Sequence, residues 1–182
     1  MVPNFYDHYA LPLLPSLCVG AAPLFARRLL GPVYALLVIG ISLVFTSWPA
    51  LDRTRASNAA MQAAARAITA HGGGTSLYVF DGPVHLYTLT GAPLPTRWAF
   101  PEHLSTAEER NATGADTLAE LARILRTRPA VIVAADAPGA RYPHPAAWRL
   151  LRMTLAREYK PLKEVEMPEF GGMRTIRILV RH

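Results

Sequence analysis

Residues Arg128–Asp136 read RPAVIVAAD, and within them Ala130–Ala135 is an unbroken apolar run, preceded by a proline and closed by an aspartate. A run of that length without polar alternation predicts a strand buried on both faces of a parallel sheet. Upstream of it, Thr117-Leu-Ala-Glu120 has the pattern of a capping box. It predicts a helix with Leu118, Leu121, Ala122 and Leu125 on one face. Downstream, Pro145 opens another predicted helix, with Trp148, Leu151 and Leu155 turned inward.

Farther out, Arg53–Ala70 is Ala-rich, and Met61, Ala64, Ala65 and Ile68 recur at helical spacing to give one apolar stripe. His71-Gly72-Gly73-Gly74 stops that helix. Ser76–Phe80 (SLYVF) follows as a short strand ending at Asp81-Gly82. The chain closes with two extended segments, Leu162–Met167 and Arg174–Val180, joined through Pro168–Gly172. In the last, Ile176, Ile178 and Val180 alternate with Arg177 and Leu179, which predicts a strand near a sheet edge. Helix–strand alternation ending in a hairpin predicts an α/β fold: a three-layer domain over 51–182 with a mainly parallel sheet and a C-terminal hairpin.

Residues 1–50 differ in character. Two apolar segments, Tyr9–Phe25 and Leu29–Trp48, are separated only by Ala26, Arg27 and Arg28, and neither carries a charge. The second is long enough to cross a hydrocarbon layer of ~30 Å at ~1.5 Å per residue. The first is interrupted by Pro12, Pro15 and Pro23. The expectation is two transmembrane helices over about 9–25 and 29–48, a hairpin anchoring the α/β domain. A buried helical hairpin is the alternative, disfavoured because Leu29–Trp48 has no polar face. Arg27 and Arg28 set the turn on the cytoplasmic side, which makes 51–182 extracytoplasmic. Tyr6, Tyr9 and Trp48 then fall where interfacial aromatics belong. The N-terminus has no basic region of the kind a secretory signal carries.

The formal charge is +6, carried almost entirely by Arg, with Lys160 and Lys163 the only lysines. The basic residues are scattered without interleaved aromatics, so they form a solvated surface or face anionic headgroups; nucleic acid is not an expected partner. Cys18 is the only cysteine and can form no internal disulfide. The six histidines, His8, His71, His85, His103, His144 and His182, include no metal-spaced pair, so no metal or cofactor is expected. His71–Gly74 resembles an esterase oxyanion loop, but no Gly-x-Ser-x-Gly elbow accompanies it, and no Walker or dinucleotide glycine motif is present. Asp81 and Asp136 each follow a predicted strand. Ligands gather outside the carboxyl ends of strands in open α/β sheets, although Asp81-Gly82 also reads as a turn and Asp136 as a loop residue or cap. Asn111-Ala112-Thr113 matches a glycosylation sequon.

The run His8-Tyr9-x-x-Pro-Leu-Leu-Pro15, leading into an apolar segment, resembles the late membrane region of GT-C-type glycosyltransferases. The group it is most similar to is glycosyltransferase family 39, with the bacterial protein O-mannosyltransferase and aminoarabinose-transferase-like enzymes. Val84-His-Leu-Tyr87-x-Leu-Thr-Gly91 and Thr96-Arg97-Trp-Ala-Phe100-Pro101 resemble a stretch of the C-terminal domains of these enzymes. The resemblance implies an integral protein of the bacterial inner membrane with a periplasmic C-terminal domain. It also implies sugar transfer from a polyprenyl-phosphate donor, with membrane lipid as a further partner. The family's acidic catalytic loop, early in its chain, has no counterpart here, since Asp7 is the only carboxylate before Asp52. The expectation is a C-terminal portion that is not catalytic alone, completed by an N-terminal transferase portion encoded upstream. Its catalytic residues are unassigned, and His8, Tyr9 and Arg97 are the candidate contacts to substrate or lipid carrier. The alternative is a membrane-anchored, non-catalytic periplasmic binding module.

Overall fold

The computed structural model describes residues 12–28, 30–45, 51–112, 114–138, 142–169 and 172–182. The chain divides into two units, Met1–Leu51 and Asp52–His182. In the first, α1 spans Leu14–Phe25 and α2 spans Leu30–Phe45. These are 12 and 16 residues long, or about 18 and 24 Å at ~1.5 Å per residue, short of a ~30 Å hydrocarbon layer. Among the described residues no helix is long and apolar enough to cross a membrane, which overturns the two expected transmembrane helices. Prolines set the first limit: α1 begins at Leu14 with Pro15 in its first turn, and Pro23 lies within its last turn. Residues 9–11, 29 and 46–48 of the expected spans lie outside the described residues, as do Tyr6 and Trp48.

In the second unit, α3 (Leu51–Ala70, all but its first residue) leads into β1 (Leu77–Asp81), and the short helices α4 (His85–Thr90) and α5 (Glu102–Ser105) precede α6 (Thr117–Arg126). Then come β2 (Val131–Ala135), α7 (Pro145–Glu158) and the hairpin of β3 (Tyr159–Glu169) and β4 (Gly172–Arg181). The sheet order is β1-β2-β4-β3. Only β1 and β2 are parallel; β2 with β4 and β4 with β3 are antiparallel. The sheet is therefore mixed, which corrects the expected mainly parallel one, and β4 is interior where an edge position was expected. The physical reason lies in the hairpin's two halves. β4 buries Ile176, Ile178 and Val180 on one face and Leu179 on the other. β3 carries exposed Lys160, Lys163, Glu164 and Glu166, with a register shift beside Pro161. Charges, prolines and bulges suit an unpaired edge, so β3 takes it.

Every residue of β1 and β2 is buried. One face packs Leu77, Val79, Val131 and Val133 against Ala64, Ala65 and Ile68 of α3 and Leu86 of α4. The other packs Tyr78, Phe80 and Ile132 against Leu121 and Ile124 of α6 and Leu151 of α7. Phe80 meets the Trp148 ring edge-on at 5.0 Å. Each fully buried Leu, Ile, Val or Phe contributes roughly 1.5–3 kcal/mol relative to exposure, so both helix layers are needed to close the sheet.

Two helix ends show how local chemistry sets the frame. After α3, Gly73 N–H donates to Ile68 C=O at 2.9 Å and Gly72 N–H to Thr69 C=O at 3.2 Å, with Gly72 at φ 83°. This is a Schellman stop, as the glycine run suggests. A Cβ on Gly73 would lie 2.2 Å from Ile68 Cγ2 and 2.8 Å from its carbonyl oxygen. At α6 the cap sits one residue before the expected box. Asp116 accepts from Ala119 N–H at 2.7 Å, and Glu120 turns forward to Arg123. The buried face of α6 is accordingly Thr117, Leu121, Ile124 and Leu125, leaving Leu118 exposed.

Replacing Gly73 by Ala is expected to lower unfolding stability by about 1–3 kcal/mol, the usual cost of overpacking, as read by urea denaturation. Burial also pushes the phenols of Tyr87 and Tyr159 up to about 12, and that of Tyr78 well above the ordinary value of 10.0. Above pH 10 the unfolded chain releases these protons while the folded one keeps them. Stability should therefore be unaffected by these groups below pH 10 and fall between about pH 10 and 12. Tyr159→Phe, which removes a 2.7 Å bond donated to Pro129 C=O, should cost about 1 kcal/mol near neutrality and flatten the alkaline decline of the melting temperature.

Candidate binding site at the strand ends

The parallel pair ends in carboxylates. Asp81 is the last residue of β1, and Asp136 follows β2 directly. A register shift between Val79 and Asp81 sets Asp81 opposite Ala134. β4 supplies an arginine to each: Arg174 Nη2 lies 2.5 Å from Asp81 Oδ1, and Arg177 Nη2 lies 2.7 Å from Asp136 Oδ1. Residues three apart on a strand point to opposite faces, so the two ion pairs occupy opposite sides of the sheet. Their environments differ. The Asp81 and Arg174 side chains are only 12% and 19% exposed, whereas those of Asp136 and Arg177 are 50% and 43% exposed. Arg177 also holds Glu164 across the hairpin, Nε to Oε1 at 2.9 Å.

A hollow adjoins each pair. On the α3 side, about 340 Å³ lies among Asp81, His85, Phe100, Glu102, Met167 and Arg174. On the α7 side, a groove of about 510 Å³ runs between α7 and the hairpin. Its walls include Trp148, Leu151, Leu155, Tyr159 and Leu179, and its rim holds Asp136, Arg152, Glu164 and Arg177. Sequence reasoning singles out both aspartates but not their arginine partners. The available signal is Arg174 and Arg177 interrupting an otherwise apolar strand.

Arg97 lines neither hollow. It is exposed, with its guanidinium 4.6 Å from the centre of the Trp98 ring. Beside it Arg123 grips Glu120 through two 2.8 Å bonds and donates to Pro95 C=O at 2.7 Å. The Arg123 hydrogen bonds hold the Glu120 carboxyl below its ordinary pKa, with further help from Thr96 and the charge of Arg97. His8 and Tyr9 lie outside the described residues. The segment Val84–Gly91 builds scaffold. The Tyr87 hydroxyl accepts from Val79 N–H at 2.9 Å, beside the β1 register shift, and Gly91 ends α4 at φ 70°.

Other polar side chains flagged by sequence are also committed to the fold. His144 Nδ1 accepts from Ala147 N–H at 3.3 Å and so caps α7. Asn111, of the sequon, exchanges two bonds with Thr117, at 3.0 and 2.9 Å. Among the described residues no group of three or more His, Cys, Asp or Glu side chains could hold a metal ion. The arrangement offers binding surfaces edged by ion pairs. No family model, curated protein or solved structure matches this chain.

The contrast in exposure sets a testable difference between the arginines. Arg174→Met removes the guanidinium from a largely buried carboxylate and should cost about 3–5 kcal/mol. Arg177→Met, at an exposed pair, should cost no more than about 1 kcal/mol. Chemical denaturation of the two variants side by side checks this ordering.

Proposed function

We propose that this chain is a non-catalytic portion of a polyprenyl-phosphate-dependent glycosyltransferase, in which Asp52–His182 contributes a binding surface. The observation that carries the non-catalytic half is the engagement of both strand-end carboxylates by arginines of β4. A general base must accept the acceptor's proton, and a carboxylate held by a guanidinium is poorly disposed to do so. The link to glycosyl transfer rests on the resemblance of the His8–Pro15, Val84–Gly91 and Thr96–Pro101 runs. In this reading the reacting carboxylate belongs to an N-terminal transferase portion encoded upstream. The assembly works at the outer face of the bacterial inner membrane, in contact with its lipid. Arg97, an exposed cation seated on Trp98, supplies a contact for the carrier phosphate; His8 and Tyr9 are candidate contacts on the resemblance alone.

The test uses the purified full chain with vesicles containing a polyprenyl-phosphate-linked sugar. Binding without sugar transfer is expected, and Arg97→Ala should weaken it about tenfold, the worth of one charge-assisted contact. Transfer by the chain alone, or equal binding to vesicles lacking the carrier, would overturn the proposal. A reading frame continuing upstream into a run of membrane spans with an early acidic loop adds support, and an unrelated upstream region counts against it.

A second reading, a module that binds an envelope ligand without any transferase, is favoured by one observation. The α7-side groove is lined entirely by residues of Asp52–His182.

A further inference from the structure

We infer that the groove between α7 and the β3–β4 hairpin binds a small zwitterion with an apolar body, of the class of α-amino acids with large side chains or their dipeptides. This inference stands apart from the transferase reading, since it uses neither Arg97 nor a carrier lipid.

Size and lining come first. The groove holds about 510 Å³, on the order of fifteen to twenty non-hydrogen atoms at roughly 30 Å³ each. That is within the range of small-molecule sites. Trp148, Leu151, Leu155 and Leu179 present hydrocarbon to it. The Tyr159 ring does the same, because its hydroxyl is spent on Pro129 C=O. An apolar body is therefore the part of a ligand that enters.

Charge then selects the head. Arg177 sits between two carboxylates, Asp136 at 2.7 Å and Glu164 at 2.9 Å. One guanidinium cannot neutralise both, so this side of the rim carries one excess negative charge. On the α7 side, Arg152 lies over the Trp148 ring, 5.7 Å from its centre. Among the described residues no carboxylate stands within ion-pair distance of Arg152. Among the described residues the rim is thus neutral in sum but divided, with a surplus negative charge beside the hairpin and an unmatched positive charge on the helix. A simple anion would meet Arg152 but also the surplus carboxylate, and a simple cation would meet the reverse. Only a head bearing both charges complements both sides. An ammonium beside Arg177, on the groove side of the Asp136 or Glu164 carboxylate, with a carboxylate on Arg152, meets that requirement.

Four probes test this on the isotope-labelled full chain by amide chemical shifts. L-tryptophan and leucyl-phenylalanine carry both charges, tryptamine lacks the carboxylate, and N-acetyl-tryptophan lacks the ammonium. At least one zwitterion should saturably shift amides of Arg152, Glu164 and Arg177, and bind about tenfold more tightly than tryptamine or N-acetyl-tryptophan. Which zwitterion binds distinguishes a free amino acid from a peptide. Arg152→Gln should reduce the zwitterion to the affinity of tryptamine while leaving tryptamine unchanged. Glu164→Gln should weaken the zwitterion and tryptamine but not N-acetyl-tryptophan. Both substitutions are at exposed positions, and an unchanged melting temperature verifies the fold of each variant. Absence of saturable shifts with both zwitterions, equal affinity for all four probes, or indifference to both substitutions would overturn the inference.

Discussion

Burial of β1 and β2 on both faces is the constraint that the rest of the domain satisfies. A strand with no solvent face must have every side chain met by a neighbouring layer, and every backbone group met by a neighbouring strand or cap. Ile68 of α3 and Leu86 of α4 close one side, and Leu121, Ile124 and Leu151 of α6 and α7 close the other. β2 needs a partner on each edge. β1 takes one and β4 the other, and β4 can do so because it buries Ile176, Ile178 and Val180 on one face and Leu179 on the other. The charged strand β3 could not take that place without burying Lys and Glu side chains, which is costly unless they are paired.

The same constraint shapes the strand ends. Where β1 and β2 stop, their aspartates emerge beside the tightly packed sheet, and β4, running the opposite way, brings arginines to them. The more buried pair ties β4 to β1 across β2, so it bears on the fold. The more exposed pair leaves its arginine shared with Glu164 and lies at the rim of an open groove. The strand ends thus carry a structural ion pair on one face of the sheet and, on the other, exposed charges at the rim of a groove.

Much of the architecture is legible locally. The glycine run after Ala70 announces a helix stop because glycine takes the positive φ at Gly72 without strain and leaves room for the close approach at Gly73. The apolar continuity of Ala130–Ala135 announces a doubly buried strand. The cap of α6 is one residue off, because Asp116 competes with Thr117 and wins, while Thr117 is drawn to Asn111. Among the described residues the membrane reading of the N-terminal segments fails on helix length. Hydropathy counts residues through prolines, whereas the helix does not begin until Leu14 and spans only 12 residues. The candidate residues divide in the same way. Asp81 and Asp136 are visible as strand-end carboxylates, but their partners come from β4, 93 positions away in the case of Arg174.

The sequence alone determined the longer helices and the strands of Asp52–His182, the doubly buried run Ala130–Ala135 and the carboxylates that follow two strands, because these follow from side-chain periodicity and backbone preference within a few residues. Only the tertiary structure decided that β4 enters the sheet antiparallel beside β2, that each strand-end aspartate meets an arginine, and that a groove with a divided rim lies along α7. Those outcomes depend on which surfaces remain to be covered once the local elements exist, and that competition between distant segments leaves no periodic trace in the chain.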